Sequence, residues 1–246
     1  MRIMPDIPSL LDRLRGRLVV SCQARPGEPL HGPEHMSAMA LSAIAGGAGG
    51  IRCEGPDDVR AIRAVTDLPV IGLWKAGVDG VYITPTLEHA LAVAEAGADI
   101  VALDATARPR PDGRTLIETL RELSARGIPV MADVATLAEG VAAAAAGATL
   151  VGTTLSGYTP ETAGLAHHPG PDLDLVAGLV DTLAIPVVAE GRITTPAQLS
   201  SAFFAGAWSV VVGGAITRPA MITAGFVGAI PADAGSRTLP KGAVRV

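Results

Sequence analysis

The chain has 246 residues, of which 49% are hydrophobic, 17% charged and only 3% aromatic. That length suits one β/α barrel, and the composition supplies an Ala/Val/Leu/Ile core large enough to fold without disulfide or metal staples. A formal net charge of −5 argues against a nucleic-acid or anionic-membrane surface, and no uninterrupted apolar run is long enough to predict a membrane span.

Residues 1–16 read as an amphipathic helix, with Ile7, Leu10, Leu11 and Leu14 on one side, placed to plug the N-terminal face of a barrel. The segment lacks the signal-peptide order of basic, apolar and small residues, so a cytoplasmic protein is expected. Eight short apolar runs follow: Leu18–Cys22, Gly50–Cys53, Val70–Trp74, Ile100–Leu103, Val130–Ala132, Leu150–Val151, Val187–Ala189 and Val210–Val212. Continuous apolar runs of this length are the mark of parallel strands buried on both faces, and helical segments lie between most of them. A repeated unit supports the alternation. Glu95-Ala-Gly-Ala-Asp99, Ala145-Ala-Gly-Ala-Thr149 and Phe204-Ala-Gly-Ala-Trp208 each read as a helix end, a glycine cap and the start of a strand. The expected fold is therefore α/β, a single (β/α)8 barrel over residues 1–246. Residues 232–246 form a tail, and Leu155–Pro171 is a long irregular loop of the kind that carries function. Cys22 and Cys53 both end apolar runs and are expected to be buried thiols.

Catalytic groups of such a barrel come from the C-terminal ends of its strands. Those ends carry Ser21-Cys22-Gln23, Arg52, Lys75, Asp104, Asp133, Thr153-Thr154 and Glu190. A lysine at the barrel mouth can shed water, which favours the neutral amine of a general base or Schiff-base nucleophile; the plainer reading is a lysine that snorkels to solvent or pairs with Glu190. Arg52 is a clamp for a carboxylate or oxyanion, or one half of a structural ion pair. Asp133 and Glu190 are candidate acid and base, or charge compensation for Arg52 and Lys75. Asp104 is a further acid or the cap of the loop after it, and Gln23 binds substrate or loop backbone.

The last two runs each stop at glycine, at Gly191-Arg192 and at Gly213-Gly214, and the second opens a helix. Adjacent glycine loops of this kind turn backbone N–H groups toward a phosphate. None of His31, His35, His89, His167 and His168 ends a strand, so no metal site is expected, and no G-x-G-x-x-G follows the first strand.

Longer blocks carry a resemblance. They include Val20-Ser-Cys-Gln-Ala-Arg-Pro-Gly-Glu-Pro-Leu30, Ala102-Leu-Asp-Ala-Thr106 with Arg108-Pro-Arg-Pro-Asp-Gly113, Ala189-Glu-Gly-Arg192 and Val212-Gly-Gly-Ala-Ile-Thr-Arg-Pro219. Over about residues 18–230 the chain resembles the N-acetylmannosamine-6-phosphate 2-epimerase family of bacterial sialic-acid breakdown. The resemblance implies a barrel that interconverts N-acetylmannosamine 6-phosphate and N-acetylglucosamine 6-phosphate without a cofactor, as a homodimer. It implies Lys75 and Glu190 as the catalytic pair, with Gln23, Arg52, Asp133 and Arg218 lining the substrate. Gly191, Arg192, Gly213 and Gly214 are implied to hold the phosphate. The chain departs from the family pattern in a short Ala76–Val81 segment, in Trp74, and in Gly214, where many relatives carry serine. The residues alone also admit a Schiff-base aldolase or a non-catalytic phosphosugar-binding protein on the same fold.

Overall fold

A computed structural model describes residues 6–77 and 79–234. Eight parallel strands close into a barrel in sequence order, with β1 paired to β8. They are β1 (Leu18–Cys22), β2 (Gly50–Glu54), β3 (Val70–Leu73), β4 (Ile100–Asp104), β5 (Val130–Asp133), β6 (Leu150–Gly152), β7 (Val187–Glu190) and β8 (Ser209–Val212). The helices are α1 (Ile7–Leu14), α2 (Pro33–Ala45), α3 (Pro56–Arg63), α4 (Leu87–Glu95), α5 (Leu116–Ala125), α6 (Leu137–Ala145), α7 (Leu173–Thr182), α8 (Pro196–Phe204), α9 (Gly214–Thr217) and α10 (Pro219–Gly228).

All eight expected strands form, but several run one residue further than the apolar pattern suggested. The additions are Glu54, Asp104, Asp133, Gly152 and Glu190, mostly polar residues that a search for apolar runs stops short of. The third strand instead ends before Trp74, because Lys75 already pairs antiparallel with Ile83 in a hairpin. The repeated Ala-Gly-Ala unit closes helices as expected. Gly97, Gly147 and Gly206 all have positive φ, and Ala148 N donates back to Ala143 O at 3.0 Å. Thr115 with Glu118, Thr136 with Glu139 and Thr195 with Gln198 form capping boxes that start α5, α6 and α8.

Period-two alternation divides the core. One set of side chains, including Val19, Ile71, Ala102, Met131, Val188 and Val211, fills the barrel interior. The other, including Cys22, Cys53, Val101 and Ala132, packs outward beneath the helices. Helix α1 plugs the floor: Leu10 and Leu14 join the interior set, and Trp208 Nε1 donates to Leu11 O at 2.9 Å. Gly50 is required there, since a Cβ on it would stand 2.9 Å from Leu14 Cδ2. Residues 1–5 of the expected helix and 235–246 of the expected tail lie outside the described residues. The Leu155–Pro171 segment is not wholly irregular, for Pro160–Leu165 form a 3-10 helix. Cys22 and Cys53 are free and buried.

Candidate functional site

At the C-terminal mouth of the barrel lies a cavity of about 640 Å³. Nine of the ten nominated residues line it: Gln23, Arg52, Lys75, Glu190, Arg218 and the four residues of the two glycine loops. Asp133 is fully buried beneath the floor.

Arg52 is 1% exposed and stands where the charges converge. Alternation along β2 points it inward, on the face that Gly50 and Glu54 share. Asp133 on β5 takes it bidentately, Nη1 to Oδ1 at 3.1 Å and Nη2 to Oδ2 at 2.6 Å. Glu190 on β7 approaches Nη1 at 2.8 Å. The Thr154 hydroxyl lies 2.7 Å from Asp133 Oδ1 and 3.0 Å from Glu190 Oε2, and has one proton for the two. Desolvation pulls the Arg52 pKa down, but Asp133 and Glu190 together outweigh it and hold it above its ordinary value. Burial pushes the Glu190 carboxyl up from its ordinary value; Arg52 opposes that shift and Asp133 adds to it. A carboxyl raised in this way gives up its proton less readily than an ordinary glutamate, which favours a role in proton exchange.

Lys75 does not pair with Glu190, the simpler partner that the sequence suggested. Arg52 engages that carboxylate, and Lys75 turns instead toward β1 and β2. Its Nζ donates to Gln23 Oε1 at 2.6 Å and meets Glu54 Oε2 at 3.1 Å. Gln23 Nε2 in turn donates to Ser21 Oγ at 2.8 Å. The amine and the Arg52–Glu190 pair thus stand in one cavity with separate partners.

Across the mouth, Gly191 (φ 113) and Arg192 (φ 54) bend the chain after β7, while Gly213 and Gly214 lead from β8 into α9. Helix α9 has only 4 residues, so main-chain N–H groups rather than a long macrodipole would receive an anion. The Arg192 guanidinium turns away from that space. Its Nε donates to Gly170 O at 3.0 Å and its Nη1 to Ser156 O, which joins both ends of the long loop. Arg218 pairs with Glu28, whose other oxygen accepts the Arg25 N–H at 3.1 Å. A Cβ at Gly214 would lie 2.7 Å from Met221 Cε, so a serine at that position requires the methionine to move.

Asp104 is fully buried and caps its loop, accepting Thr106 N at 3.0 Å and pairing with Arg108 at 2.6 Å. Among the described residues no group of three or more His, Cys, Asp and Glu is arranged to hold a metal ion. His167 and His168 lie on the cavity wall. Sequence reasoning passed over Glu54 because the apolar run ends at Cys53; its position two residues past Arg52 on one strand was the available signal. Tyr82 and Tyr158 also line the cavity, and they are the chain's 2 tyrosines.

With this geometry in view, comparison with known proteins is decisive. Residues 36–232 match the family model described as "Putative N-acetylmannosamine-6-phosphate epimerase". A Cutibacterium acnes protein named "Putative N-acetylmannosamine-6-phosphate 2-epimerase" is 49% identical over 220 residues, covering 88% of this chain and 95% of the relative. A Clostridioides difficile protein of the same name is 47% identical over 223 residues, covering 90% and 99%. The solved N-acetylmannosamine-6-phosphate 2-epimerase of Clostridium perfringens superposes with a TM-score of 0.85 at 43% identity, covering 90% of this chain and 96% of that one. A thiamine phosphate pyrophosphorylase from Pyrococcus furiosus, at 21% identity and a TM-score of 0.58 over 85% and 89% of the two chains, shares the fold alone. The closed barrel, the matched span and the identity of these relatives together place the chain in the N-acetylmannosamine-6-phosphate 2-epimerase family.

Proposed function

We propose that this protein interconverts N-acetylmannosamine 6-phosphate and N-acetylglucosamine 6-phosphate by removing and returning the proton at C2 of the ring-opened sugar. The observation that carries the mechanism is the meeting, in one cavity, of the Lys75 amine with the Arg52–Glu190 pair, facing two glycine loops. The C2 proton is acidic only while C1 is an aldehyde, so the pyranose opens first. Glu190, with its raised pKa, moves the proton between O1 and O5. Lys75 acts as the base that takes the C2 proton, and return of a proton to the opposite face, by Lys75 after the intermediate turns or by Glu190, completes the inversion. Arg52 and Gln23 face the enolate oxygen as charge develops there, and one such donor is worth roughly 3 kcal/mol. Asp133 holds Arg52 in place for that role. Main-chain N–H groups of the Gly191-Arg192 and Gly213-Gly214 loops, with Arg218, receive the phosphate, whose binding energy fixes the open chain over Lys75. No cofactor enters the scheme.

Two further readings accompany this one. The protein acts in the cytoplasm, where Cys22 and Cys53 stay reduced; no described helix is long and apolar enough to cross a membrane. It acts as a homodimer, because α10 buries none of its residues, and Phe226 and Val227 on it, with Ile230 just beyond its end, stand in solvent as a single chain.

Proton NMR of N-acetylmannosamine 6-phosphate with the protein in deuterium oxide tests the reaction. The expected result is N-acetylglucosamine 6-phosphate carrying deuterium at C2, and Lys75→Ala is expected to abolish both conversion and exchange. Absence of conversion and exchange with the unaltered protein would refute the activity. A borohydride-stable adduct on Lys75 would point to Schiff-base chemistry instead.

A further inference from the structure

The Arg108-Pro-Arg-Pro-Asp-Gly113 motif plays no part in the chemistry above, yet it holds the most deeply buried cation outside the active site among the described residues. Arg110 is 6% exposed, and its Nε lacks a hydrogen-bond partner among the described residues. A guanidinium so placed is costly to keep, so what its two ends hold is informative.

We propose that Arg110 is a positioning residue that aims Lys75 at the substrate by locking the base of the hairpin that carries it. The proposal deepens the epimerase reading and rests on Lys75 as the base.

Lys75 is the first residue of that hairpin beyond Trp74. It pairs antiparallel with Ile83, while Ala76 N donates to Tyr82 O at 3.0 Å and Thr84 N to Trp74 O at 2.8 Å. The outer part of the hairpin is exposed at Gly77, Asp79 and Gly80, so its direction is set at its base. There Thr84 is fully buried with φ 48, a left-handed conformation that a β-branched residue keeps only when its surroundings impose it. Its hydroxyl donates to Ala102 O at 2.6 Å and accepts the Trp74 N–H at 3.1 Å. Ile83 O accepts the Asp104 N–H at 2.9 Å. The Thr84 carbonyl is taken by Arg110 Nη2 at 2.8 Å, and Arg110 Nη1 donates to Asp104 O at 2.7 Å. One rigid fork therefore bridges the end of β4 and the last residue of the hairpin. Lysine, with a single ammonium, cannot reproduce that two-point geometry. The phosphate loops stand on β7 and β8, away from this joint, so loosening it disturbs the base and not the anchor.

The test compares Arg110→Met, Arg110→Lys and Thr84→Gly with the unaltered protein by kcat, KM and the rate of C2 proton exchange. Thr84→Gly accepts the positive φ and keeps the carbonyl that Arg110 holds but drops the hydroxyl links, so it tests whether the hairpin base aims Lys75. Arg110→Lys, which keeps the buried charge, decides the part of Arg110 if Arg110→Met does not fold. The expected result is a loss of at least about ten-fold in kcat and in exchange, with KM within about two-fold, since small displacements of a catalytic group cost rate rather than binding. Folded variants with unchanged kcat, or with KM changed as much as kcat, would overturn the proposal. Lys75→Ala is measured beside them. If it keeps turnover, the base assignment fails and the positioning role with it. If it is inactive while the other three match the unaltered protein, only the positioning role falls.

Discussion

Arg52 sets the energetics of the barrel mouth. Its Asp133 partner is fully buried and its Glu190 partner nearly so, which leaves one cation balancing two carboxylates. Removing a buried partner of this kind costs about 3–5 kcal/mol, so Arg52 substitutions are expected to impair folding as well as turnover. Glu190 is the more informative position. If its ionised form begins ring opening, kcat falls with decreasing pH through a midpoint above the ordinary 4.5, because burial raises that carboxyl. Glu190→Gln is expected to remove this acid limb and to lower kcat by about 100-fold, within the usual range for a general acid–base group. A pH–rate profile checks both; an unchanged limb in the variant would assign it to another group.

Asp58 offers a test independent of catalysis. Burial raises its pKa from 3.8 to about 6, with His31 opposing the shift. The folded state then binds the proton more tightly than the unfolded chain, so stability falls as pH rises from 3.8 to about 6 and stays lowered above that. Asp58→Asn is expected to leave Tm unchanged near pH 3 and to raise it at pH 8. After discounting for partial exposure the gain is about 1 kcal/mol, or roughly 2–4 °C for a chain of this size. Thermal melts at the two pH values check it.

At the scale of elements, the site depends on how loops are tied to strands. The Arg192 side chain holds Ser156 O and Gly170 O, so the turn that follows Glu190 pins both ends of the loop bearing Tyr158, His167 and His168. Arg192 was nominated for phosphate; in the structure its guanidinium braces the loop. Arg192→Met is expected to free the loop and raise KM for the phosphosugar about ten-fold with a smaller change in kcat, the signature of lost binding energy. Steady-state kinetics with limited proteolysis within residues 157–169 measure it. If KM holds and cleavage does not increase, the loop is secured by other contacts.

For the whole molecule, the apolar surface of α10 is what a single barrel leaves unfinished. Phe226, on a helix with no buried residue, is 76% exposed, and Ile230 just beyond its end is 61% exposed. Replacing both with serine is expected to convert a dimer to a monomer by light scattering at micromolar concentration. An unaltered protein that is already monomeric would end the dimer reading.

The barrel itself was legible because its signals are local. Short apolar runs and three Ala-Gly-Ala caps repeat along the chain, and parallel strands buried on both faces write themselves as unbroken hydrophobic runs. Lys75, Asp133 and Glu190 were legible as candidates because each follows such a run, and Arg52 because it interrupts one near its end, and a β/α barrel gathers strand ends at one mouth. Their pairing was not legible, since partners 52, 81 and 138 positions apart along the chain are chosen by strand tilt and side-chain reach. Tertiary structure alone decided that Lys75 faces Gln23 and Glu54, that Glu190 goes to Arg52, and that the Arg192 guanidinium serves the long loop. It also decided that Arg110 reaches back across β4 to Thr84, a contact between residues 26 apart that no motif spacing announces. Local sequence determines which elements form and what stands at their ends; the closed barrel determines which of those ends meet.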